Sequence, residues 1–160
     1  MRELIIGKKG IGKTTLIKNE LIPVLKEYII FDIFQEYMEF KNVISFSSVE
    51  ESSSRKSLKE KFQNVAAKTD SNTVIILDNT ECYLYPEIDA AGKESYEWIK
   101  VALKEKQFIL TTTYIRTHGI YADLDLTKIY LFDTTNSEQE CSNFKHSKKD
   151  IIKLCSKKLT

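Results

Sequence analysis

With 160 residues, 42% hydrophobic and 29% charged, and a net charge of +1, the chain is expected to form one domain over residues 1–160 around a single substantial core. No apolar run approaches the roughly 20 residues of a membrane span, MRELIIGKKG does not read as a signal peptide, and the near-neutral balance excludes a polycation that holds nucleic acid by bulk charge, so a cytoplasmic protein is expected. Three scattered cysteines (Cys82, Cys141, Cys155) without CxxC spacing and only two histidines (His118, His146) argue against disulfide staples and a histidine-rich metal site.

Residues 3–6 read as a short strand, and residues 13 to about 22 as a helix that Pro23 ends or kinks, since proline lacks the N–H that a helix interior needs. YIIFDI, residues 28–33, is a continuous apolar strand closing near Asp32, and residues 43–46 form a small extra strand. SSVEESSSRKS, residues 47–57, is the one low-complexity patch and reads as an exposed loop running into a helix start. Leu58, Phe62, Val65 and Ala66 mark one face of that helix. TVIIL, residues 73–77, is the most strand-like run, with Asp78 at its end. Tyr96, Ile99, Ala102 and Leu103 mark another helix, with Trp98 in the core. Residues 108–113 and 129–132 read as two further strands, and Ile151, Ile152, Cys155 and Leu159 as a last helix. Strands without polar alternation are buried on both faces, and helices between them imply parallel crossovers. The expected fold is α/β: a mostly parallel sheet of about five strands flanked by helices.

Charge is uneven along this order. The last twenty residues hold six lysines (Lys145, Lys148, Lys149, Lys153, Lys157, Lys158) against one acid, Asp150. This tail is either a solvated helix end or an electrostatic patch for phosphates.

Three of the five glycines, Gly7, Gly10 and Gly12, crowd into GKKGIGKTT beside Lys8, Lys9 and Lys13. Like charges at that density call for an anion among them. The run fits GxxxxGK[ST] in full, between a strand and a helix, where the P-loop mechanism needs it. Glycines let consecutive N–H groups point at phosphate oxygens, and the helix N-terminus adds partial positive charge. Gly7, Lys8, Lys9, Gly10, Ile11, Gly12, Lys13, Thr14 and Thr15 are therefore expected to bind a nucleoside triphosphate, ATP in the first instance. Lys13 would reach the β- and γ-phosphates, and the Thr14 hydroxyl would ligate Mg²⁺. Asp78, ending a buried strand some 65 residues on, suits the Walker B role of holding the ion's water shell.

Beyond the P-loop, the chain resembles the additional-strand division of P-loop NTPases, and within it the RecA-like FtsK/HerA ATPases, which include viral genome-packaging ATPases. FDIFQEY (residues 31–37) resembles the D-x-x-x-E-Y after their second strand. LDNTECYLYPE (residues 77–87) resembles their Walker B segment, and FILTTTYIRT (residues 108–117) their sensor strand. The resemblance implies Mg²⁺-dependent ATP hydrolysis driving nucleic-acid translocation, with DNA as the partner, a homo-oligomeric ring, and a viral or plasmid origin. It implies an arginine finger at Arg116 and a polar sensor at Thr113, where the family often has Gln. Where the family has a catalytic Glu directly after the Walker B Asp, this chain has Asn79, and Glu81 is the nearest carboxylate that could replace it. Asn79 can orient a water but cannot take its proton.

Two other readings stay open. KKGIGKTT also resembles the MinD/ParA signature, whose first lysine, here Lys8, reaches across a dimer, although Lys9 stands where that family has glycine. A small P-loop kinase is the other; against it, the chain has only Arg2, Arg55 and Arg116, few for wrapping a transferring phosphoryl group. Tyr83 and Tyr85 could face a substrate strand or cap a core edge. His118 has no identifiable partner.

Overall fold

The computed structural model describes residues 1–45, 55–82, 86–113, 121, 124–132 and 150–154. In chain order it forms β1 (Arg2–Ile6), α1 (Lys13–Leu16), β2 (Tyr28–Asp32), β3 (Val43–Ser45), α2 (Arg55–Lys68), β4 (Val74–Leu77), β5 (Glu87–Ile88), β6 (Glu94–Ser95), α3 (Glu97–Leu103), β7 (Gln107–Thr112), β8 (Lys128–Phe132) and β9 (Asp150–Leu154). Among the described residues, seven strands make one sheet in the order β3-β2-β4-β7-β1-β8-β9, every neighbouring pair parallel. β5 and β6 form a separate antiparallel hairpin.

The apolar strand runs sit where they must to be dry on both sides. All four residues of β4 are buried, as are the last four of β1 and of β8. Side chains alternate across the sheet. Leu4 and Ile6 of β1 join Leu58, Phe62 and Ala66 of α2 and Trp98, Ile99 and Leu103 of α3 on one face. Ile5 joins Leu16, Ile17, Leu21 and Ile22 of the α1 segment on the other. Phe62 is the pivot of the first face, edge-on to Phe31 at 5.4 Å and to Trp98 at 6.1 Å between ring centroids.

α1 does not stop at Leu16. It widens into a π-helical turn at Ile17–Leu21 and tightens into a 3₁₀ turn at Ile22–Val24, with Pro23 in its first positions; Leu25 is already extended. The helical segment thus tightens at Pro23 and ends one residue later, at Val24.

Two expectations are corrected. The sheet has seven strands rather than about five, because the small strand at Val43–Ser45 pairs with β2 and because residues 150–154 are a strand, not the start of a last helix. Residues 150–154 pair in register with all of β8, Lys128 opposite Asp150 through Phe132 opposite Leu154. An edge strand gains one ladder and one covered face, so its sequence lacks the continuous apolar run that marks the inner strands. Cys155 and Leu159, the rest of the expected helix, lie outside the described residues, as do Tyr83, Tyr85, Arg116, His118 and most of the lysine-rich tail. Of that tail, Lys153 is placed, exposed on β9. No helix among the described residues is long and apolar enough to cross a membrane.

The order β4-β7-β1 carries the main functional consequence. β7 stands between the P-loop strand β1 and the Asp78 strand β4 and pairs with both. This is the additional strand that defines the division the sequence resembles. It brings the C-terminal ends of β1, β2, β4 and β7 to one edge of the molecule, where ligands of open parallel sheets bind.

Candidate active site

Gly7 to Gly12 leave β1 and enter α1 through backbone shapes that explain the glycines. A Cβ on Gly7 would lie 2.8 Å from Ile11 Cγ2 and 2.9 Å from Phe132 Cβ, so a side chain there does not fit. Gly12 stands at the N-cap of α1 with φ 105°, a left-handed shape that strains any L side chain. The loop is tied to the additional strand by Gly7 N–H donating to the Thr112 carbonyl at 3.1 Å. Lys8 and Lys9 are exposed.

Lys13 is not in open solvent, contrary to what its loop position suggests: it is only 7% exposed. Its ammonium donates to the Gly7 carbonyl at 2.6 Å and the Lys8 carbonyl at 3.1 Å, closing the loop on itself. Burial pulls its pKa below the usual lysine value, and the carboxylates of Asp78, Glu81 and Glu36 act against that pull. Three acids around one buried lysine make a compact charged site at the sheet edge.

Asp78 is its hub, 4% exposed. One oxygen, Oδ2, accepts from Thr14 Oγ1 at 2.7 Å and from the Tyr37 hydroxyl at 2.7 Å. The other, Oδ1, accepts from Thr111 Oγ1 at 2.6 Å and from Asn79 N–H at 3.1 Å. The donors arrive from the P-loop helix, the segment after β2, β7, and the turn after β4. Four donors on one carboxylate fix its plane. The Thr14 hydroxyl donates its hydrogen bond to Asp78, which leaves the oxygen lone pairs for a hard cation. The paired hydroxyl and carboxylate suit Mg²⁺, which takes few protein oxygens and completes its shell with phosphate and water. No group of three or more His, Cys, Asp or Glu that could hold a metal ion occurs among the described residues.

Glu81 lies in the short 3₁₀ turn Thr80–Cys82 after Asn79. Its Oε1 accepts from Thr112 Oγ1 at 2.6 Å and from the Thr113 backbone N–H, so the carboxylate is latched to the end of β7. Asn79 takes a left-handed backbone shape, φ 59°, and its N–H also reaches Thr111 Oγ1 at 2.7 Å. Thr80 is fully buried and donates to the Thr111 carbonyl, and its hydroxyl lies 2.7 Å from that of Tyr121. Burial pushes the Tyr121 phenol up to about 12. The structure thus brings together Gly7 to Thr14, Asp78, Glu81 and Thr113 at one edge. Thr15 is half-buried on α1. Arg116 lies outside the described residues.

Sequence reasoning about individual side chains passed over Asp32, Tyr37 and Thr111. Asp32 ends β2 with both oxygens engaged, accepting from Glu36 N–H at 3.0 Å and Tyr37 N–H at 2.8 Å. That turn aims Tyr37 at Asp78. Glu36 stands beside it, its carboxyl raised above the usual value by partial burial and by Asp78 and Asp32. The available signal was the D-x-x-x-E-Y spacing in FDIFQEY. Its physical content is a carboxylate that caps the fourth and fifth N–H groups after it.

No protein-family model and no curated protein matches the sequence. Solved structures do match in fold. The genome packaging NTPase B204 from Sulfolobus turreted icosahedral virus 2, in complex with sulfate, aligns with TM-score 0.62 and 21% identity over 92% of this chain and 80% of that one. The same NTPase in complex with ATP-gammaS aligns with TM-score 0.59 and 24% identity, covering 89% of this chain and 78% of that one. B204, the DNA-packaging ATPase from Sulfolobus turreted icosahedral virus, aligns with TM-score 0.62 and 23% identity over 89% of this chain and 81% of that one. At these identities the likeness is one of fold: the chain has the P-loop NTPase architecture, with a mostly parallel sheet flanked by helices.

Proposed function

We propose that this chain is a Mg²⁺-dependent ATPase of the FtsK/HerA kind that converts ATP hydrolysis into movement of DNA, as a minimal genome-packaging motor encoded by a virus or plasmid and working in the cytoplasm. The observation that supports this most is the Thr14–Asp78 pair at 2.7 Å, set at the strand ends of a fold shared with viral packaging NTPases. In this reading the N–H groups of residues 7–15 and the Lys13 ammonium hold the phosphates, Lys13 exchanging its carbonyl partners for phosphate oxygens. Thr14 and Asp78 hold the Mg²⁺. The ion, when bound, neutralises charge developing on the transferred phosphoryl group. Glu81 takes the proton of the attacking water, standing in for the acid that Asn79 lacks, and Thr113 orients the γ-phosphate end. Arg116 of a neighbouring subunit completes the site in a homo-oligomeric ring. The Lys-rich tail is a contact for DNA or a docking partner.

An ATPase assay with and without double- and single-stranded DNA, beside a mass measurement of the assembled state, tests this. The expected result is Mg²⁺-dependent turnover stimulated by DNA, from an oligomer. Mixing inactive Lys13→Ala and Arg116→Ala subunits under exchange should restore part of the turnover, because each retains what the other lacks. One observation favours a second reading, a nucleotide-gated binding module: the residue after Asp78 is Asn79, which cannot accept a proton. Tight ATP binding with negligible turnover in every DNA condition would decide for it.

A further inference from the structure

Tyr37 is fully buried, yet its hydroxyl belongs to the polar site rather than to the core around it. The phenol donates at 2.7 Å to Asp78 Oδ2, the same oxygen that accepts the Thr14 hydrogen bond. Its place is held from three directions. Asp32 Oδ2 accepts its backbone N–H at 2.8 Å, while Gln35 makes a left-handed turn at φ 58° just before it. Phe40 packs beside its ring with centroids 6.0 Å apart. Lys18, from the π-helical turn that continues the P-loop helix, sits 5.1 Å over the ring and is itself tied to the Glu36 carbonyl and, at 2.8 Å, to Glu39. The P-loop helix and the segment after β2 therefore grip Tyr37 as one unit. A phenol ionises only near about pH 10, so the hydroxyl is a donor throughout the physiological range.

From this geometry we infer that Tyr37 is a positioning residue for the divalent cation: by fixing Asp78 Oδ2, it sets the direction of the hydrogen bond that the Thr14 hydroxyl donates and thus where the Thr14 lone pairs point. Asp78 Oδ1 is fixed independently by Thr111 and Asn79. Without the phenol, Oδ2 would answer to Thr14 alone, and neither group of that pair would orient the other. Groups that hold a ligand from behind in this way commonly change metal affinity by about 10–100-fold when removed. The inference rests on the nucleotide-site reading above and adds to it a residue that touches neither phosphate nor water.

The test is Tyr37→Phe in the full chain, which removes one oxygen and keeps the ring. Affinity for a fluorescent ADP is measured in EDTA, and Mn²⁺ binding to the ADP complex is followed by electron paramagnetic resonance. The expected result is metal-free ADP affinity within about twofold of wild type, with Mn²⁺ bound about 10–100-fold more weakly. Unchanged Mn²⁺ affinity overturns the inference, and so does a parallel fall of both affinities, which would make Tyr37 a packing residue only. If the wild type itself binds no ADP, the nucleotide-site reading fails first and takes the inference with it, a signature visible before any variant is made. Should Tyr37→Phe not fold, 4-fluorophenylalanine at position 37 fills the space of the hydroxyl without a proton to donate to Asp78. It must then weaken Mn²⁺ binding about 10–100-fold with metal-free ADP affinity within about twofold; unchanged Mn²⁺ affinity overturns the inference.

Discussion

Asp78 and Glu81 stand three residues apart and answer to different parts of the site, so their variants should separate. Asp78→Ala strips the shared acceptor from the Thr14, Tyr37 and Thr111 hydroxyls. It should weaken Mg²⁺-dependent nucleotide binding and lower stability, at about 1–3 kcal/mol for each buried donor left unpaired. Glu81→Gln keeps an acceptor for Thr112 and Thr113 and should spare binding while slowing turnover by roughly 10²–10⁴. Nucleotide titration and steady-state hydrolysis on the two variants check this. Normal turnover in Glu81→Gln would reduce Glu81 to a latch on β7 and pass the base role to Glu36, whose raised carboxyl already faces the same lysine. That Gly7, Lys13, Thr14 and Asp78 would meet at one edge was legible in the sequence, because the GxxxxGK[ST] spacing and a strand-ending Asp prescribe residue types and places together. Thr111 and Tyr37 were not, since each matters only through strand pairing that places β7 and β2 on either side of β4. The burial of Lys13 was hidden for a related reason: the carbonyls that hold it come from the loop's own folding.

At the scale of elements, the helical faces were written plainly. Leu58, Phe62 and Ala66 recur at helical spacing and are buried on α2; Ile99 and Leu103 do the same on α3. Phe62→Ala should therefore cost about 3–5 kcal/mol, measured by urea unfolding, because the ring bridges Phe31 of β2 and Trp98 of α3 and no neighbour can fill its space. A loss under about 1 kcal/mol would mean that α2 does not seal this face. β9 was misread because Ile151 and Ile152 join Cys155 and Leu159 in a helical spacing, and only partnership with β8 selects a strand for residues 150–154. The hairpin β5–β6 left no periodic signal at all: its two strands are two residues each, too short for one, and are fixed by Asp89 and Lys93 backbone contacts across the turn and by the Lys59–Glu87 ion pair.

For the whole molecule, the alternation of strand and helix announced a parallel α/β sheet, and the P-loop announced which family of sheets. Strand order was not readable, because burial on both faces marks β1, β4 and β7 alike without saying which lies between which. Placing β7 in the middle joins Thr111, Thr112 and Thr113 to both the P-loop and the Asp78 turn, and under the proposed function a change at the nucleotide would pass along this one strand. A motor needs such a link between the state of the phosphates and the rest of the subunit. The measurement that tests the motor most directly is displacement of a third strand from a DNA duplex, followed by fluorescence. The account predicts displacement by the wild type with ATP and Mg²⁺, none with a non-hydrolysable analogue, and none by Lys13→Ala. Hydrolysis without displacement under every DNA condition, or displacement that survives Lys13→Ala, would contradict it.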